Sequence, residues 1–106
     1  MKLDFSNLVG FEWDSGNLKH INKHFVLDKE CEEVFLIKPI MVSKDLLHSQ
    51  IEKRYRVLGK TSLERKLNIV FTVRKNLLRI ISARDQNKKE REKYRKKEVK
   101  YDKEKT

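Results

Sequence analysis

The chain has 106 residues and a mass of 12.8 kDa, which is room for one domain and one core. Hydrophobic residues make up 38% and charged residues 40%, mean hydropathy is -0.77, and no apolar run approaches the roughly 20 residues that cross a bilayer, so no membrane role is expected. Cys31 is the only cysteine, which excludes an internal disulfide, and Asp4 interrupts the N-terminus before a signal-peptide core can form, so a cytoplasmic location is expected.

Charge divides the chain. Residues 1–50 carry a net charge of -2, residues 51–85 carry +7 and residues 86–106 carry +5, within a total of +10. A folded surface with that asymmetry attracts polyanions such as nucleic acid, anionic lipid or an acidic protein.

In chain order, residues 1–10 carry little pattern and are expected to be a lead-in, with the domain occupying 11–97 and a frayed charged tail over 98–106. Phe11-Glu12-Trp13-Asp14 alternates apolar and acidic residues, the period of a half-buried strand. Ser15-Gly16-Asn17 supplies turn and N-cap chemistry before Leu18, Ile21 and Phe25, whose spacing predicts one face of a short helix. A second helix is predicted from Asp28, as N-cap, to about Leu36, with Leu27, Cys31, Val34 and Phe35 on one side. Cys31 in that apolar stripe reads as a small buried hydrophobe rather than a nucleophile.

After Pro39, Ile40–Ser43 suits a short edge strand, and three stronger runs follow. Tyr55 and Val57 alternate with Arg54 and Arg56; Leu67, Ile69, Phe71 and Val73 alternate with Asn68, Thr72 and Arg74; and Leu77–Arg84 follows a compact turn at Lys75-Asn76. The expected fold class is therefore α+β: a small antiparallel meander with two N-terminal helices on its apolar face and a charged C-terminal helix. Asn87-Lys88-Lys89-Glu90 has the form of a capping box opening that last helix. Beyond about Lys97 too little apolar surface remains to offset the entropy of ordering.

His20 and His24 stand four apart, a spacing that allows two imidazoles to share a metal, but no third ligand accompanies them and no metal site is expected. With only Gly10, Gly16 and Gly59 the chain has no phosphate loop, and it has no Gly-x-Ser-x-Gly elbow. What remains is a set of strand-borne arginines with one acid, Glu52, among them. Arg79 and Arg84 are five apart and point to opposite faces of a regular strand, so they share a site only if a bulge intervenes or Arg84 leaves the strand. Guanidinium groups on phosphate oxygens suit metal-free RNA cleavage, and they suit passive binding equally.

The residues also carry a resemblance. Phe11-Glu12-Trp13-Asp14, Gly16-Asn17, His20, Asn22-Lys23-His24 and Glu32-Glu33-Val34-Phe35 resemble the opening of the BrnT toxin family of type II toxin–antitoxin systems. Arg54-Tyr55, Leu58-Gly59-Lys60-Thr61, Val70–Arg74, Arg79–Arg84 and Lys89–Tyr94 follow the same pattern in the same order. The chain departs from it at Phe25, where the family places glycine after its second histidine.

This resemblance implies a RelE-like fold, a metal-independent endoribonuclease that arrests translation, no cofactor, and neutralisation by a BrnA-type antitoxin through whose complex operator DNA is bound. It makes Glu52, Arg54, Arg79 and Arg84 the candidate catalytic residues, with Glu52 as base and the arginines as phosphate clamps. Lys53, Arg56, Lys60, Thr72 and Arg74 are the candidate RNA contacts. The general acid is unassigned, with His48 and Tyr94 as outside candidates. The competing reading is a non-catalytic basic module that binds nucleic acid or a protein partner.

Overall fold

The computed structural model describes residues 5–45 and 52–105; His48 lies outside them. Among these residues the chain forms β1 (Gly10–Glu12), α1 (Ser15–Asn22), α2 (Asp28–Leu36), β2 (Met41–Lys44), β3 (Tyr55–Lys60), β4 (Lys66–Arg74), β5 (Leu77–Asp85) and α3 (Lys88–Lys105). The sheet order is β1-β5-β4-β3-β2, and β2 to β5 form the expected antiparallel meander. The sheet is nevertheless mixed rather than wholly antiparallel, because β1 lies parallel to β5 through Gly10 opposite Leu77 and Glu12 opposite Arg79. Asp14 diverts the chain from that edge by capping α1: its carboxylate accepts from the Asn17 amide and its own N–H donates to the Asn17 side chain. The Asn17 side chain, buried, also donates to the carbonyls of Glu12 and Ile80, so α1 takes over the edge of β5 where β1 leaves it.

Lys75 (φ 49°) and Asn76 (φ 65°) supply the two left-handed residues of the tight hairpin between β4 and β5. The Val9 N–H donates to the Asn76 carbonyl, and the Phe5 ring lies 6.2 Å from both Phe35 and Phe71, so packing begins within the expected lead-in.

Ile21, Val26, Cys31 and Val34 from the helical side meet Val57, Leu67, Ile69, Phe71, Leu78, Ile80 and Ala83 from the sheet, all buried. Helix α2 sits directly on β3 at Gly59, where an added Cβ would stand only 2.6 Å from Val34 Cγ1. Burial pushes the Cys31 thiol up to about 12, in keeping with its reading as a core hydrophobe.

Two expectations for the helices are corrected. Leu27, not Asp28, is the N-cap of α2; its backbone N–H donates to Glu30, and its side chain is exposed. Phe25 does not continue the buried face of α1. The helix ends at Asn22, Phe25 adopts φ 58° with its side chain 87% exposed, and the reversed chain turns Val26 inward instead. The position at which this sequence departs from the BrnT pattern is thus a left-handed one, where glycine is unstrained.

Helix α3 packs on the opposite face of the sheet. Glu90, Tyr94 and Glu98, spaced by four, form its inner side. Tyr94 is buried with its hydroxyl donating to the Pro39 carbonyl at 2.6 Å, and Glu98 pairs with Lys60 and Lys66. The helix continues past Lys97 to Lys105. Among the described residues, no helix is long and apolar enough to cross a membrane.

Candidate active site on the polar face of the sheet

Strand alternation decides which side chains meet on the face away from α1 and α2. In β4, Leu67, Ile69 and Phe71 enter the core while Asn68, Val70 and Thr72 take the other side. In β5 the core positions are Leu78, Ile80 and Ala83, and the step of three in that series marks a bulge. Ile80 pairs with Phe71 and Ser82 with Val70, so Ile81 is the extra residue. The bulge restores parity: Arg79 opposite Thr72 and Arg84 opposite Asn68 lie on one face, the condition that sequence spacing had left open.

Two adjoining depressions occupy this face. One, of about 310 Å³, is bounded by His20, Arg54, Arg56, Ser82 and Arg84, with Asp45 and Asn68 beside them. The other, of about 260 Å³, is bounded by His20, Glu52, Arg54, Arg74 and Arg79. They meet at His20, Arg54 and Ile81. Ile81, with the strand's apolar residues by composition, therefore separates the two arginine sites instead of filling the core.

Each arginine on this face is held by a carboxylate. Arg79 donates to Asp14 at 2.8 Å and Glu12 at 3.1 Å; Arg74 chelates Glu52, with contacts from 2.9 Å. Arg54 lies 3.8 Å from Glu52, and Arg56 lies 3.9 Å from Asp45. Arg84 makes two parallel bonds to Glu90 at 2.8 and 3.0 Å.

Glu90 also completes the capping box with Asn87, as its spacing predicts, and accepts from the buried Asn68, which in turn accepts from Arg56. A continuous chain of polar contacts, Arg56–Asn68–Glu90–Arg84, thus fixes two guanidiniums relative to each other. The bond from Arg84 pulls the Glu90 carboxyl down to about 2, with the Asn87 N–H adding to the effect.

The candidates distribute unevenly. Glu52, Arg54, Arg79 and Arg84 all border these depressions, as do Arg56 and Arg74. Lys53 is exposed on the segment that leads into β3. Lys60 is not brought to the cluster: it lies beneath α3, paired with Glu98 at 2.9 Å and Glu64 at 3.6 Å, and the bond to Glu98 raises its pKa. Thr72 is buried, and its hydroxyl donates to the Lys53 carbonyl at 2.7 Å, which pins the Glu52–Arg54 segment over β4 rather than presenting a group to RNA. Tyr94 is engaged by Pro39, and burial raises its pKa, so it is removed from the candidates for general acid.

His20 is not among the candidate catalytic residues that the sequence offers. It is exposed and borders both depressions, because the capping of α1 at Asp14 sets that helix along the edge of β5. Imidazole is the side chain suited to taking and giving a proton near neutral pH. Among the described residues, no three His, Cys, Asp or Glu side chains group as metal ligands.

The α+β scaffold thus presents guanidiniums, an imidazole and a carboxylate on one open sheet face. The chain matches, over residues 13–90, the family described as ribonuclease toxin, BrnT, of type II toxin–antitoxin systems, and it belongs to that family. Membership makes it a ribonuclease toxin, with RNA as the substrate class and a protein antitoxin as partner. No curated protein matches the chain in a sequence comparison.

Proposed function

We propose that this toxin is a metal-independent endoribonuclease of the cytoplasm that cleaves RNA on the polar face of the sheet and so inhibits translation. Its antitoxin is of the BrnA type, operator DNA is bound only through the complex of the two, and the fold is RelE-like. The observation that carries the catalytic part is the bulge at Ile81, which puts Arg79 and Arg84 on the same face as Glu52, Arg54 and His20.

In this reading the ribose 2′-oxygen attacks the adjacent phosphorus as Glu52 accepts its proton. The bond to the 5′-oxygen breaks, and His20 supplies the proton that this leaving group needs. The products are a 2′,3′-cyclic phosphate and a 5′-hydroxyl. Arg54, Arg79 and Arg84 stabilise the charge growing on the non-bridging oxygens, while Lys53, Arg56 and Arg74 hold the flanking backbone. A guanidinium has five N–H groups, more than one carboxylate takes, so the resting ion pairs leave donors for phosphate. The pairing with Arg74 fixes where Glu52 points.

The test is cleavage of RNA by the purified chain after exhaustive chelation, with end-group analysis of the products. Cyclic phosphate ends, and losses of about 10²-fold or more in His20→Ala and Glu52→Gln, are the expected result. Folded protein that binds RNA with a linear salt dependence yet forms no product supports the non-catalytic module instead. Expression of the chain alone in bacteria is expected to arrest growth, and co-expression of the cognate antitoxin to restore it.

A further inference from the structure

A further groove lies outside the two arginine depressions and is larger than either. It has a volume of about 420 Å³ and runs between the outer edge of the sheet and the first turns of α3. Met41 and Leu58, cross-strand partners in β2 and β3, form an apolar floor on the face that α3 covers. Lys89 and Lys93, four apart on α3, stand on the rim, and among the described residues neither makes an ion pair. Glu90, the acid in the lining, is already committed to Arg84. Arg56 borders both this groove and the His20 depression, so the two adjoin there.

We infer that this groove is a nucleotide subsite, holding a base and phosphate that flank the scissile linkage; it rests on the ribonuclease reading above. Its chemistry asks for a ligand with a flat apolar face and an adjoining anion. A base lies on Met41 and Leu58, the thioether favouring an aromatic face, while its phosphate meets Lys89 and Lys93. Arg56 then stands between consecutive phosphates. A peptide of the antitoxin would need a carboxylate placed beside an apolar side chain to fit as well, and it would have no reason to continue past Arg56 into the arginine depressions. The arginine shared by the two depressions favours RNA.

The experiment is binding of fluorescent, non-cleavable 2′-O-methyl RNA, as a dinucleotide and as a hexanucleotide, to the full chain and to two variants. Lys89→Ala with Lys93→Ala removes the rim charge, and Ser43→Asp, at an exposed position that pairs with Arg56 on the groove face, places a carboxylate in the lining. Each is expected to weaken the hexanucleotide by about tenfold while leaving the dinucleotide and the melting temperature unchanged. Equal weakening of both ligands assigns the lysines to a general field and overturns the subsite, as does an unchanged hexanucleotide. Loss of antitoxin binding with RNA binding intact gives the groove to the protein partner and also overturns it. Because the probe is not cleaved, length-dependent binding in a chain that never cleaves RNA upholds the subsite and removes the ribonuclease reading alone; cleavage with unaffected variants does the reverse.

Discussion

On the polar face of the sheet, Arg54, Arg56, Arg74, Arg79 and Arg84 each meet a carboxylate, whereas along α3 Lys88, Lys89, Lys93, Arg95, Lys96 and Lys97 have no ion-pair partner among the described residues. The same formal charge does different work in the two places. Paired guanidiniums contribute little to the long-range potential, but their positions are fixed to within a hydrogen bond, which is what transition-state stabilisation requires. Unpaired lysines on a solvated helix have no fixed geometry and raise the local concentration of any polyanion. The acids on the inner side of α3 sharpen the division: Glu90 and Glu98 face sheet cations, which leaves the outer surface of the helix dominated by basic residues.

The largest difference expected between the regions is in rate. Arg79→Ala and Arg84→Ala should each slow single-turnover cleavage by about 10²-fold to 10³-fold, by analogy with lost oxyanion donors; Arg79→Ala should cost about 1 kcal/mol of stability or less, and Arg84→Ala more, because it leaves the Glu90 carboxylate without its guanidinium. Lys96→Ala should stay within about twofold of the wild type in rate. Melting curves and cleavage measured on the same preparations check this; near-native rates in both arginine variants erase the distinction between the regions.

Next comes affinity. Neutralising Arg95, Lys96 and Lys97 together should reduce the slope of log affinity against log salt by about 2, at roughly 0.7 for each phosphate contact with a single strand, and leave the rate at saturating RNA unchanged. A salt titration of RNA binding reads the slope. A fall in saturating rate would place α3 in the chemistry.

Acid stability should separate the regions a third way. The Glu90 carboxyl is depressed from 4.5 to about 2 by its bonds to Arg84, and Asp85 is lowered by its bond to Arg65. Groups with a depressed folded pKa contribute stability that is fully present above the unfolded value and is lost as pH falls through the folded one. Stability should therefore decline between about pH 4.5 and pH 2, and Glu90→Gln should melt lower at neutral pH and lose part of that decline. Melting temperature measured against pH decides it; an unchanged slope in the variant would show that Glu90 does not anchor α3 to the sheet.

The smallest effect calibrates the others from a position in neither region. Phe25→Gly relieves a left-handed backbone at a side chain that is 87% exposed, so it should stabilise by about 1 kcal/mol and leave cleavage alone. Chemical denaturation gives the value. A loss of stability would mean that the exposed ring makes a contact worth more than the strain.

Much of this architecture was legible because it rests on local rules. Period-two alternation placed Leu67, Ile69 and Phe71 inward, the Lys75-Asn76 turn joined β4 to β5, and Asn87 with Glu90 opened α3. Phe25 was misread for a related reason: helical spacing continued the pattern, but the helix had already ended, and spacing says nothing about where a chain reverses. The parallel placement of β1 was likewise hidden, since nothing within Gly10–Glu12 specifies a partner strand 67 residues away.

The candidate site divides along the same line. Residue type made the strand arginines suited to phosphate, the resemblance singled out Arg54, Arg79 and Arg84 among them, and charge alone located the positive field in the second half of the chain. The tertiary structure decided which of these groups share a surface. It did so through one extra residue, Ile81, that brings Arg79 and Arg84 to the same face; through the cap at Asp14, which sets His20 beside them; and through the packing of α3, which draws Lys60 away to Glu98. Chemistry belongs to each side chain and is written in the sequence. Proximity depends on strand register, bulges and the docking of distant elements, and those are fixed only when the whole core closes.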